Sequence, residues 1–124
     1  MTSRVPFASI VDDEVDVANL FKQKLSEINV IEPIAFSEPT LALEHFRLNH
    51  QKYSIVISDY RMPIMNGIMM LGKMRKINPK VKTMLITAFD VQDEFMNHDY
   101  VDKFLMKPIS MDNFISEVKR QINL

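Results

Sequence analysis

The sequence contains no cysteine, which excludes disulfides and thiolate chemistry and makes the cytoplasm the expected location. No apolar stretch approaches membrane-spanning length, and residues 1–10 lack the form of a signal peptide. A run of basic residues is also missing. With 15 basic against 16 acidic residues and no Lys/Arg cluster, nucleic-acid binding by this chain alone is not expected. There is no internal repeat, low-complexity tract or linker, so residues 1–124 are expected to form one domain with a real core. Three histidines, His45, His50 and His98, lack metal-ligand spacing and are expected to be ordinary surface or helix residues.

What is present is an ordinary globular balance, 47% apolar and 25% charged. Methionine is abundant, and Met62, Met65, Met69, Met70 and Met74 crowd together as adaptable core filling. Four short apolar segments each end in a reactive group. Ser9-Ile10-Val11 leads into Asp12-Asp13, and Ile55-Val56-Ile57-Ser58 leads into Asp59. Met84-Leu85-Ile86 leads into Thr87, and Phe104-Leu105-Met106 leads into Lys107-Pro108.

Strands are expected over residues 7–11, 30–36, 53–58, 81–87 and 101–106, the second at a sheet edge because of Pro33. Between them the pattern predicts helices over 15–28, from Ser37-Glu38-Pro39 onward, over 64–77 and over 91–97, with a last one capped by Ser110. Inward positions are expected to include Val17, Leu20, Phe21, Leu25 and Ile28, then Leu41, Leu43 and Phe46, and finally Phe114, Ile115, Val118 and Ile122. Strict alternation of strand and helix implies an α/β doubly wound fold, five parallel strands in a (βα)5 arrangement. In such a sheet all strand C-termini share one edge, where open α/β folds bind ligands.

Asp12, Asp13 and Asp59 would then offer hard oxygen ligands that suit Mg²⁺, with Mn²⁺ as the alternative. Magnesium on few carboxylates keeps open positions for a phosphoryl group. Lys107 can neutralise phosphoryl oxygens, while Thr87 and the backbone N–H of Ala88 can donate to them. Asp59 is the best candidate acceptor, because an aspartate can act as a nucleophile through an acyl phosphate and this one ends the central strand.

On these residues the chain resembles the receiver domain of two-component response regulators over essentially its whole length. The matching pieces are Ile10-Val11-Asp12-Asp13-Glu14, the run Asp59-Tyr60-Arg61-Met62-Pro63-Ile64-Met65-Asn66-Gly67, Thr87-Ala88, and Phe104-Leu105-Met106-Lys107-Pro108. The resemblance implies the flavodoxin-like strand order 2-1-3-4-5. It implies that Asp59 accepts a phosphoryl group from a histidine kinase or histidine phosphotransfer protein. Asp13, Asp59 and the backbone carbonyl of Arg61 would bind Mg²⁺ directly, and Asp12 through water. Thr87 and Lys107 would bind the phosphoryl group, and Phe104 would be the aromatic switch coupled to Thr87. The Lys107–Pro108 bond should be cis, aiming the lysine into the site.

Phosphorylation would bias a two-state equilibrium at a surface formed by the fourth predicted helix, the fifth strand and the last helix, read by an output protein or domain. A phosphorylation-dependent homodimer is compatible with this reading. Such a module assists its own phosphorylation and dephosphorylation without being an enzyme for external metabolites.

Two features depart from the family pattern. Residues 97–103 lack the usual small residues, and Arg61 and Phe89, two positions past Asp59 and Thr87, flank the route of an attacking water. A bulky Phe89 is expected to exclude water, Arg61 to engage phosphoryl oxygens or an acidic neighbour, and the phosphate to be lost slowly. The alternatives are a metal-dependent phosphohydrolase using an aspartyl phosphate and a degenerate receiver acting as a constitutive interaction module. The first lacks a cap domain and has Arg61 where a well-known group of such enzymes has an acid.

Overall fold

The computed structural model describes residues 5–88 and 100–124. The helix expected over 91–97, together with Phe89 and His98, lies outside the described residues. Five parallel strands form one sheet in the order β2-β1-β3-β4-β5: β1 (Phe7–Val11), β2 (Glu32–Phe36), β3 (Tyr53–Asp59), β4 (Lys82–Thr87) and β5 (Lys103–Met106). The described helices are α1 (Val15–Leu25), α2 (Pro39–Asn49), α3 (Gly67–Ile77) and α4 (Met111–Gln121), with a 3₁₀ turn at His50–Lys52.

Period-2 alternation divides the strand side chains between two cores, which is why the strands read as continuous apolar runs. Ala8, Ile10, Ile55, Ile57, Met84 and Ile86 face one layer, built on Phe21 and Leu25 of α1 and Phe114 and Val118 of α4. Val11, Val56 and Leu85 face the other, built on Phe46 of α2 and Met70, Leu71 and Met74 of α3. Met62 and Met65 pack against this second core, whereas Met69 stays exposed. Pro33 sits on β2 opposite Ala8, at the sheet edge where a missing N–H is tolerated.

Several expected boundaries shift for local reasons. α1 stops at Leu25 because Glu27 N–H and Ile28 N–H turn back to Lys24 and Leu25 carbonyls in tight three-residue steps; Ile28 is buried from the connecting loop. β2 starts at Glu32, and Val30 is exposed. Ser37 is not the cap of α2: Glu38 holds that position without a side-chain bond, and the proline ring at the first helical position has no N–H to satisfy.

Leu20 and Leu41 point outward, since the buried stripes run through Ala18, Phe21 and Leu25 and through Pro39, Ala42 and Phe46. α3 begins at Gly67 rather than Ile64, with the Asn66 side chain accepting the Met69 N–H at 2.9 Å. Ser110 caps α4 as expected, accepting the Asn113 N–H at 3.1 Å.

The unusual segment before β5 has its own anchorage. Asp102 accepts the Thr83 N–H at 2.9 Å and pairs with Arg75 of α3 at 2.6 Å. The Thr83 hydroxyl donates to the Tyr100 carbonyl, and the Tyr100 ring lies over Gly72, where an added Cβ would meet it at 3.3 Å.

Candidate metal centre

The C-terminal edge of the sheet gathers the acids that the sequence singles out. Asp59 is the last residue of the central strand, Asp12 and Asp13 follow β1, and one carboxylate oxygen from each lies within 4.8 Å of the others. Asp12 is only 2% exposed; its N–H donates to the Phe36 carbonyl at 3.0 Å and its carboxylate accepts the Glu14 N–H at 2.9 Å. Asp13 stays exposed.

Lys107, just past β5, donates its N–H to the Thr87 carbonyl at 2.7 Å. Its ammonium lies 3.3 Å from Asp59 Oδ1 and 4.0 Å from Asp12 Oδ2. The Lys107–Pro108 peptide is cis, as expected. Thr87 is buried at the end of β4 and lines a cavity of about 290 Å³ together with Asp13, Glu14, Asp59, Arg61 and Lys107. Glu14 joins this lining as the last of three consecutive acids, the one mark it leaves in the sequence.

The loop after Asp59 is held close to the strand. Gly67 N–H donates to the Tyr60 carbonyl at 2.8 Å, and a Cβ on Gly67 would lie 2.3 Å from the Asp59 carbonyl oxygen. Only glycine permits that approach. Ser58 adds a hydroxyl bond to the same carbonyl at 2.8 Å.

Charge at this edge is out of balance. Burial pushes Asp12 up to about 6, and the negative charges of Asp59 and Asp13 add to it against the Glu14 N–H and Lys107. Burial also raises Asp59, opposed by its ion pair with Lys107. Three clustered carboxylates thus meet the Lys107 ammonium, which is within hydrogen-bonding reach of Asp59 and 4.0 Å from Asp12, with the exposed Arg61 at the rim. An all-oxygen donor set with surplus negative charge and open access fits a hard divalent cation.

Phe104 is half-buried against the core layer of α2 and α3. His45 packs among Phe7, Phe36 and Tyr53, bonded to the Tyr53 hydroxyl at 2.7 Å, and the His50 ring lies tilted 6.4 Å from that of Phe46; the acidic cluster among the described residues includes neither. Among the described residues no helix is long and apolar enough to cross a membrane.

A family model described as the response regulator receiver domain matches residues 8–119. The luminescence regulatory protein LuxO of Vibrio campbellii is 30% identical over 116 residues, 91% of this chain and 25% of that protein. The chain spans about a quarter of the length of the curated relatives it matches first. A response regulator receiver domain protein from Clostridium thermocellum superposes with a TM-score of 0.85 at 25% identity, covering 95% of this chain and 94% of that one. Response regulator TrrA from Thermotoga maritima, solved in complex with Mg²⁺ and beryllofluoride, gives 0.80 at 27% identity over 94% and 98% of the two chains.

Proposed function

Because this chain belongs to the receiver-domain family of two-component response regulators, we propose that Asp59 is its phosphoacceptor and that the aspartyl phosphate switches an interaction surface. The observation that carries this reading is the Lys107 ammonium 3.3 Å from Asp59 Oδ1, beside the Asp12 and Asp13 carboxylates. An Asp59 oxygen attacks the phosphorus of a phosphohistidine on a sensor kinase or phosphotransfer protein. The P–N bond breaks and its electron pair leaves on the imidazole, which takes up a proton. Lys107 and the Thr87 hydroxyl hold the oxygens of the transferred group.

Asp12, Asp13, Asp59 and the Arg61 carbonyl would hold Mg²⁺, which when bound offsets the charge that the phosphoryl group adds. In the separate hydrolysis step water attacks phosphorus, the aspartyl P–O bond breaks, the carboxylate is restored and inorganic phosphate leaves. Arg61, which lines the same cavity, and Phe89, two positions past Thr87 in the sequence, set the lifetime of the phosphorylated form. Thr87 and Phe104 pass the change to β5 and α4, where an output domain, an output protein or a second copy reads it.

The chain serves as a cytoplasmic signalling switch and not as an enzyme for external metabolites. Labelling by phosphoramidate with Mg²⁺ tests the assignment. The parent protein should take up one phosphoryl group, and Asp59→Asn should take up none. Equal labelling of the two would refute the acceptor.

A further inference from the structure

Ile64 holds a backbone conformation that its side chain opposes, and the fold makes almost no use of that side chain. Its φ is 75°, and the Met65 N–H donates to the Pro63 carbonyl at 2.8 Å. Together these form a three-residue turn of the rarer, strained kind. Glycine or asparagine accepts positive φ readily, whereas a β-branched residue is among the least suited to it. The turn has a structural reason, since it returns the chain from Asp59 to Asn66 and Gly67 for their close packing. The isoleucine side chain has none: at 85% exposure it is the most exposed large apolar group among the described residues.

Its position suggests what covers it. Val15, opening α1, and Met106, closing β5, are 55% and 52% exposed, and both stand with Ile64 along the edge that carries Asp59. The Asp59 side chain itself is set back, only 12% exposed. A protein that delivers a phosphoryl group there must bring the reacting atoms to about 3–3.5 Å, and so must press its surface onto the surrounding loops. An output partner or a second copy has no such obligation at this edge.

We propose that Ile64 is an apolar anchor for the phosphodonor protein, seated in an apolar recess beside that protein's phosphohistidine and selecting which donors transfer efficiently. This rests on Asp59 being the acceptor. Two kinds of donor separate the claims: phosphoramidate with Mg²⁺, and the phosphorylated histidine kinases and histidine phosphotransfer proteins of the source genome, each assayed for transfer to the parent protein. Ile64→Asn, which suits the turn, should label from phosphoramidate at the parental rate and melt no lower than the parent. From the protein donor that the parent prefers, it should accept phosphate about tenfold more slowly or worse, the loss expected of an interface hot spot. Ile64→Leu retains an apolar contact and should stay within about threefold of the parent.

Transfer from that donor to Ile64→Asn at the parental rate overturns the anchor, as does Ile64→Leu proving as slow as Ile64→Asn. A lower melting temperature for Ile64→Asn overturns the strain argument. Transfer from none of these protein donors to a parent protein that phosphoramidate labels also overturns the anchor, while leaving the acceptor in place. Failure of phosphoramidate to label the parent falls on the acceptor reading instead.

Discussion

Gly67 and Asp12 carry the sharpest constraints on single residues. A methyl group on Gly67 would press on the Asp59 backbone at 2.3 Å and on Leu85 at 2.7 Å. Gly67→Ala should therefore lose about 1–3 kcal/mol in urea denaturation, the usual effect of overpacking. Asp12 gives a pH signature. Its folded pKa of about 6 exceeds the ordinary 3.8, so between those values the native state binds more protons than the unfolded chain. Without metal, stability should fall as pH rises through that window, by roughly 3 kcal/mol at most. Denaturation at about pH 5 and about pH 7.5 measures the slope, and Asp12→Asn should flatten it and be the more stable protein at the higher pH.

Mg²⁺ should raise the parent's melting temperature at the higher pH and do so less at the lower one, where Asp12 becomes protonated. Asp12, Asp13, Asp59, Thr87 and Lys107 were legible because each follows an apolar run. Ile64 was not, because neither its exposure nor its positive φ is written in its residue type.

At the scale of elements, strands were easier to read than helix ends. Burial on both faces writes a strand as an unbroken apolar run, but a helix stops where a few backbone hydrogen bonds choose another partner. The late start of α3 shows this: the turn at Ile64 precludes helix there, and the Asn66 cap then begins it. Asn66→Ala should cost about 1 kcal/mol by chemical denaturation.

The link between Arg75 and Asp102 was beyond sequence reasoning, since its partners lie 27 residues apart and the segment around them departs from the family pattern. Because Asp102 also satisfies the Thr83 N–H, Asp102→Ala should destabilise by about 1–3 kcal/mol, with protection from hydrogen exchange lost first at the start of β4.

For the whole molecule, alternation of strand and helix established the class of fold, and Pro33 placed β2 at an edge. The complete strand order came from resemblance to the family, because pairing among parallel strands is not encoded in any one segment. The same order is what places Asp59 between the loops that bring in Asp12, Asp13, Thr87 and Lys107. If that edge governs a switch, Mg²⁺ with beryllofluoride should shift amide resonances beyond the site, through Thr87 to Phe104 and into α4. The most direct measurement is to label the protein with phosphoramidate and Mg²⁺, reduce the acyl phosphate with borohydride, and map the product by peptide mass spectrometry. Homoserine at position 59 is the predicted result; homoserine at position 12 or 13, or no reducible acyl phosphate at all, would contradict it.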